Sequence, residues 1–199
     1  MGTVPPEDTD NASARYWVNV TSVGLTKPRS SPVIYTDRNT FSMPVLIDTG
    51  STLSYFREDL VAKIGQEFGA TIDSSGYYVV DCKYRSIKGT VDFGFNRGKM
   101  VINVSYKDFI YEQYSGYCML GVQPADVGST NYVLGDTFIR GAYCKSPSIH
   151  LLTAESDVET VVFDQQSDIV WMNQYYNCGD GVVSVGQSAN DTGLIVGAC

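Results

Sequence analysis

Val45-Leu46-Ile47-Asp48-Thr49-Gly50-Ser51-Thr52 sets three apolar residues directly before one acidic residue, with glycine and hydroxyl side chains directly after it. The apolar run reads as a buried strand, and Asp-Thr-Gly as the turn that ends it. An ionised carboxylate at the end of such a strand is costly unless donors hold it. Thr49, Ser51 and the amides around Gly50 are close enough in sequence to be those donors. Two readings of these residues stand side by side: an Asp-Gly turn with a satisfied acid, or a carboxylate held ready for chemistry.

The 199 residues suit one domain that can bury a real core. Fourteen Tyr, eight Phe and nineteen Gly, with 18% charged residues, favour strands and turns over a helical bundle. The net charge of -8 leaves no basic stripe to neutralise phosphates, which argues against a nucleic-acid surface and against acidic partners. No apolar run approaches the roughly 18 residues of a bilayer span, so no membrane segment is expected in this chain. The start, Met1 to Asp8, has neither a basic region nor an apolar core and does not read as a signal peptide; Pro6 also spoils a myristoylation pattern. Acceptor motifs Asn-x-Ser/Thr at Asn11, Asn19, Asn103 and Asn190, together with five Cys, lean towards a secreted glycoprotein whose targeting segment lies outside these residues.

Residues 1–14 are polar and contain Pro, and read as a disordered lead-in. Tyr16 to Thr21 alternates apolar and polar residues, which predicts a strand with Tyr16, Val18 and Val20 facing the core. Lys27-Pro28-Arg29-Ser30 turns the chain, Val33 to Tyr35 is a short strand, Asp37 to Asn39 a second turn, and Ser42 to Asp48 a longer strand. Leu60, Ile64 and Phe68 recur every four residues beside Val61, with Glu58 and Asp59 at the front and Gly69 at the end: a helix that packs on a sheet. Tyr77 to Cys82, Thr90 to Phe95, Met100 to Tyr106 and Tyr117 to Val122 are further strands. Val161 to Asp164 and Ile169 to Met172 form a hairpin through Gln165-Gln166-Ser167-Asp168. From about Tyr175, Gly, Ser and Asn dominate, and residues 179–199 read as a flexible tail.

Laid out in this order, residues 15–178 resemble the C-terminal lobe of a pepsin-like aspartic protease, nearest to the fungal candidapepsin and yapsin-like enzymes. Val45 to Tyr55 resembles the second Asp-Thr-Gly motif and the strand after it, and Glu58-Asp59-Leu60 opens the helix that follows. Gly76 to Cys82 and Gly116 to Gly121 resemble the segments that carry that lobe's disulfide. Asn131 to Arg140 resembles the hydrophobic-hydrophobic-Gly segment behind the catalytic loop. The resemblance implies a mostly β fold, the C-terminal lobe of a bilobal pepsin-like acid protease with one or two short helices. It implies a disulfide between Cys82 and Cys118, and a peptide or protein substrate bound between lobes. Asp48 would be one of two catalytic carboxylates; Ser51 would hydrogen-bond its outer oxygen, Thr49 would reach to the other lobe's loop beside Gly50, and Thr52 would touch substrate. Extracellular, cell-surface or vacuolar placement follows from the same resemblance.

The departures are as informative. The family needs two Asp-Thr-Gly loops, and the reading finds only one here, at Asp48; nothing before Tyr16 encodes a partner lobe or a substrate-covering flap. The chain is therefore expected to be a half-enzyme, inactive until another chain supplies the missing N-terminal lobe. A retroviral-type homodimer is disfavoured, because the helix at residue 58 stands where a flap hairpin would follow the motif. A non-catalytic peptide-binding module, or a truncated product of a mispredicted gene, are the competing readings.

The second departure is Cys144 to Thr160, seventeen residues where the family runs straight on, with the lone His150 inside. They are a surface insertion, which loop entropy tolerates, or a translated intron. Cys144-Lys145-Ser146 permits the donor GTAAGT, Leu152-Thr153 the branch site CTGAC, and Thr160-Val161 an AG acceptor. Removal would rejoin Tyr143 through one Phe or Leu to Val162-Phe163-Asp164 and restore the family pattern. Cys144 would then be an artefact, while Cys178 and Cys199 either pair or stay free. No Cys-x-x-Cys and no His pair exists, so no metal and no cofactor are expected. Asp136, Asp164 and Asp168 read as turn or cap residues.

Overall fold

A computed structural model describes residues 17–37, 39–143, 162–164, 169–171 and 173–174. The lead-in, Tyr16, Asn11, Asn190, His150, Cys144, Cys178, Cys199, the 144–160 segment and the tail lie outside the described residues.

The chain is mostly β. In order it forms β1 (Trp17–Thr26), β2 (Val33–Ile34), β3 (Met43–Ile47), β4 (Ser54–Phe56), α1 (Glu58–Glu67), β5 (Thr71–Ile72), β6 (Tyr78–Val80), β7 (Thr90–Phe95), β8 (Met100–Ser105), α2 (Tyr106–Phe109), β9 (Tyr111–Tyr114), β10 (Tyr117–Met119), β11 (Val122–Pro124), β12 (Tyr132–Leu134) and α3 (Asp136–Ile139). The main sheet runs β11-β4-β12-β3-β1-β7-β8, with β2 paired to β1; a second sheet runs β5-β6-β10-β9. The expected hairpin is present as Val162–Asp164 against Ile169–Trp171, and Ala142–Tyr143 pairs with Asn173–Gln174.

β1 shows why simple alternation stops short. Val18 and Val20 are buried, as the pattern predicts, but further along Val23 and Leu25 are the inward residues. The switch from even to odd positions is a bulge: β7 pairs Phe95 with Val20 and Gly94 with Ser22, leaving Thr21 extra. The Thr21 hydroxyl donates to the Gly94 carbonyl and accepts from the Arg97 amide, so the extra residue is satisfied. The strand thereby serves β3 at its start and β7 along its length.

The core lies between this sheet and α1. Leu60, Val61 and Ile64 are buried as their spacing predicts. Gly69 ends the helix with φ +59, a conformation glycine adopts without a Cβ penalty. Phe68 then stands edge-on to Tyr106 with ring centroids 4.8 Å apart, and Phe93 meets Phe138 at 5.1 Å. The Gln123 side chain links the two sheets: 2% exposed, it accepts from the Tyr78 amide at 2.8 Å and donates to the Tyr78 and Leu120 carbonyls.

Cys82 and Cys118 are joined by a disulfide that closes a 36-residue separation, tying the turn after β6 to β10. In the chain-entropy picture a loop of that length contributes about 4 kcal/mol by restricting the unfolded chain. Replacing both cysteines with alanine is expected to lower the unfolding free energy by about that amount in urea titrations, with little change in far-UV circular dichroism.

Candidate active site

β3 ends at Ile47, and the Asp48 amide then donates to the Leu134 carbonyl at 3.0 Å, continuing the parallel β3–β12 pairing by one bond. The chain next turns tightly: the Ser51 amide donates to the Asp48 carbonyl, and the Gly50 amide donates to Asp48 Oδ1 at 2.9 Å. Asp48 is half-buried, while Thr49, Gly50 and Thr52 are exposed. The Ser51 hydroxyl differs from expectation: it donates to the Leu53 carbonyl at 2.9 Å rather than to the outer oxygen of Asp48. The turn aims that hydroxyl forward along the chain, and a backbone amide takes the carboxylate instead.

Beneath the loop lies a knot that the sequence reading did not name beyond the segment behind the motif. The Asp136 amide donates to the Ser51 carbonyl at 2.8 Å and the Thr137 amide to the Thr52 carbonyl at 3.2 Å. Ser54, fully buried, accepts from the Gly135 amide, and its own amide donates to the Gly121 carbonyl. The Thr137 hydroxyl donates to that same carbonyl at 2.6 Å and lies 3.3 Å from the Ser54 hydroxyl. Residue 135 must be glycine for a close-approach reason: a Cβ there would lie 2.3 Å from the Ser51 oxygen and 2.4 Å from the Leu53 oxygen. A signal for Ser54 was available, since it is a hydroxyl flanked by Leu53 and by Tyr55-Phe56, whereas Thr137 follows the charged Asp136 and carries no such mark.

A second carboxyl belongs to this neighbourhood. Burial pushes the Asp136 carboxyl above its usual range; Arg140 offsets part of the rise, and the Asp48 carboxylate adds to it. Asp136 is the first residue of α3, where Gly135 is the N-cap and no side chain makes a cap bond, so the cap role expected of Asp136 is not seen.

Of the glycan acceptors within the described residues, Asn19 is half-buried and Asn103 exposed. Among the described residues the one grouping of metal-ligand type is Cys82, Glu112 and Cys118, and its sulfurs are consumed by the disulfide. The Asp-Thr-Gly triplet itself occurs twice, which corrects the reading of a single motif. The second copy, Asp191-Thr192-Gly193, follows Gln187-Ser188-Ala189-Asn190 instead of an apolar strand, and lies outside the described residues.

The sequence model of the eukaryotic aspartyl protease family matches residues 7–146. The chain belongs to that family. Aspartic proteinase 3 of Saccharomyces cerevisiae is 32% identical over 147 residues, covering 71% of this chain and 24% of that protein. Candidapepsin-2 of Candida parapsilosis is 28% identical over 156 residues, covering 71% of this chain and 36% of the relative. The chain thus spans little more than a third of these relatives' length at most. An aspartic proteinase from Irpex lacteus is a solved structure with 20% identity and a TM-score of 0.46, covering 68% of this chain and 41% of that one. The fungal relatives agree with the expected family; the 146 boundary of the aspartyl protease match falls just inside the 144–160 segment.

The raised Asp136 carboxyl has a sign. Its proton is held more tightly in the folded state than in the unfolded state, so the stability it supports is fully present below about pH 4 and is lost as pH rises through the raised value. Asp136→Asn is therefore expected to melt above wild type at pH 7 by a margin that shrinks towards pH 4, read from melting temperatures across that range.

Proposed function

We propose that this chain is the C-terminal lobe of a pepsin-like aspartic endopeptidase, spanning residues 15–178, and that Asp48 is one carboxylate of its catalytic pair. The observation that carries this reading is the state of the Asp48 loop: pinned from beneath by backbone bonds to Leu134 and Asp136, yet exposed at Thr49, Gly50 and Thr52. A second lobe supplies the other carboxylate. Two close carboxylates do not both ionise readily, so they share one proton. One then acts as base on a water that attacks the peptide carbonyl, while the other supplies the acid. Gly50 holds the Asp48 oxygen through its amide, Thr49 faces the other lobe's loop, and Thr52 meets the peptide substrate. Secretion, to the cell exterior, the cell surface or the vacuole, fits the family and the acceptor motifs.

On this reading the chain by itself is a half-enzyme. Titration with a transition-state-mimicking peptide inhibitor is expected to show no stoichiometric tight binding by the purified chain; tight one-to-one binding overturns it. Supplied with a separately expressed N-terminal lobe, it is expected to gain peptidase activity that Asp48→Asn lowers by at least about 10³-fold.

We further assign Cys144 to Thr160 to translated intron, supported by the splice signals that these residues permit in their codons and by the end of the family match at residue 146. Sequencing the mature transcript is expected to join the Tyr143 codon through one Phe or Leu codon to Val162. A message that retains the segment refutes the assignment.

A further inference from the structure

Asp92 is a buried carboxylate outside the candidate active site, 3% exposed in the middle of β7. Its Oδ2 accepts from the Thr26 hydroxyl at 2.5 Å, and its Oδ1 accepts from the Thr90 hydroxyl and from Asn103 Nδ2, each at 2.6 Å. None of the ion pairs among the described residues includes Asp92, so neutral donors hold this charge. A buried carboxylate held in this way depends on every donor, because each lost bond leaves charge without compensation.

One of those donors is also a sugar-acceptor residue. Asn103-Val104-Ser105 is an Asn-x-Ser motif, and Asn103 lies directly opposite Asp92 in the β7–β8 register. β8 is the end strand of the main sheet path, and Asn103 is exposed there. The other acceptor among the described residues sits differently. Asn19 is half-buried on β1 opposite Pro44; the hydroxyls of both motifs are committed, Thr21 to Gly94 and Arg97 and Ser105 to Asp108, so the difference lies in the exposure of the Asn itself.

We propose that Asn103 carries an N-linked glycan and that the glycosylated carboxamide continues to donate to Asp92, so the sugar is rooted on a bond the fold depends on. The chemistry permits both roles. Asn103 Nδ2 forms a bond to the anomeric carbon of a lipid-linked oligosaccharyl diphosphate, the carbon–oxygen bond to the diphosphate breaks, and one amide proton leaves to the transferring enzyme. One N–H remains on Nδ2 as a donor.

Two ways of removing the glycan then have different consequences. A glycosidase that cuts within the chitobiose leaves one sugar on an intact amide. An amidase adds water across the amide itself, releases the glycosylamine and converts Asn103 to aspartate. That conversion replaces a donor by a second carboxylate directly across the strands from Asp92, where like charges repel.

The experiment uses the full chain secreted from a glycosylating eukaryotic host, with glycopeptide mapping and melting temperatures after each treatment. The expected result is an occupied Asn103 peptide and an amidase-treated sample melting about 4 °C or more below the glycosidase-treated one. Ser105→Ala, which removes the acceptor motif while keeping Asn103, is expected to abolish that difference although glycans at other sites are still removed. An unoccupied Asn103 overturns the site. Equal melting temperatures after the two treatments, or a difference that survives Ser105→Ala, overturns the coupling to Asp92.

Discussion

The hydrogen bond from the Asp136 amide to the Ser51 carbonyl, possible because residue 135 has no side chain, is the constraint on which the Asp48 loop depends. Around it the chain is stitched in both directions. Leu134 accepts from Asp48 before the turn, Thr137 donates to Thr52 after it, and Ser54 accepts from Gly135 between them. Each such bond is worth about 1 kcal/mol net, but losing a partner of a buried amide costs more than that. The knot is therefore stable as a set and intolerant of single removals. A β-carbon at 135 would displace two carbonyls at once and open it from the middle.

What holds the knot in place is the core directly behind it. α3 follows Gly135 immediately, and its Phe138 is fully buried against Phe93 and Phe95. β4, which leaves the loop, carries Phe56 into the same cluster and leads into α1. Shifting the loop would thus mean moving phenylalanines in a close-packed interior, where small displacements cost contacts on several sides. The apolar residues set the position of Asp48, and the polar knot sets its orientation.

The local part of this arrangement was legible in the sequence, and the long-range part was not. The 58–68 periodicity gave α1 with its end at Gly69, and apolar runs gave β3, β7 and β8 almost to the residue. β12 pairs parallel with β3, and β11 with β4, across more than sixty residues of chain, and nothing local marks such a partner. The bulge at Thr21 was hidden for the same reason, since it exists only against β7. At the site, Asp48 and its exposed neighbours stood out, whereas the Ser51 hydroxyl donates to Leu53 and the Gly50 amide is the donor seen on Asp48 Oδ1. Ser54, Thr137 and Gln123 were overlooked although each is a polar residue next to a large apolar one, Tyr55, Phe138 and Val122 respectively, and all three are buried.

The division between pinned and open faces bears on what a second lobe contributes. Among the described residues, the bonds that fix the backbone of residues 48–54 come from this chain's own β12, α3 and Gly121. Those bonds hold the loop within this chain alone, so the second lobe proposed above would not have to spend binding free energy on shaping it. What stays exposed is Thr49, Gly50 and Thr52, a patch of small polar side chains and backbone left open to the loop that the proposed second lobe would bring. Under the proposed pairing, two loops built in this way would meet as preformed surfaces, and their meeting would change the chemistry more than the structure by bringing a second carboxylate beside Asp48 to share one proton.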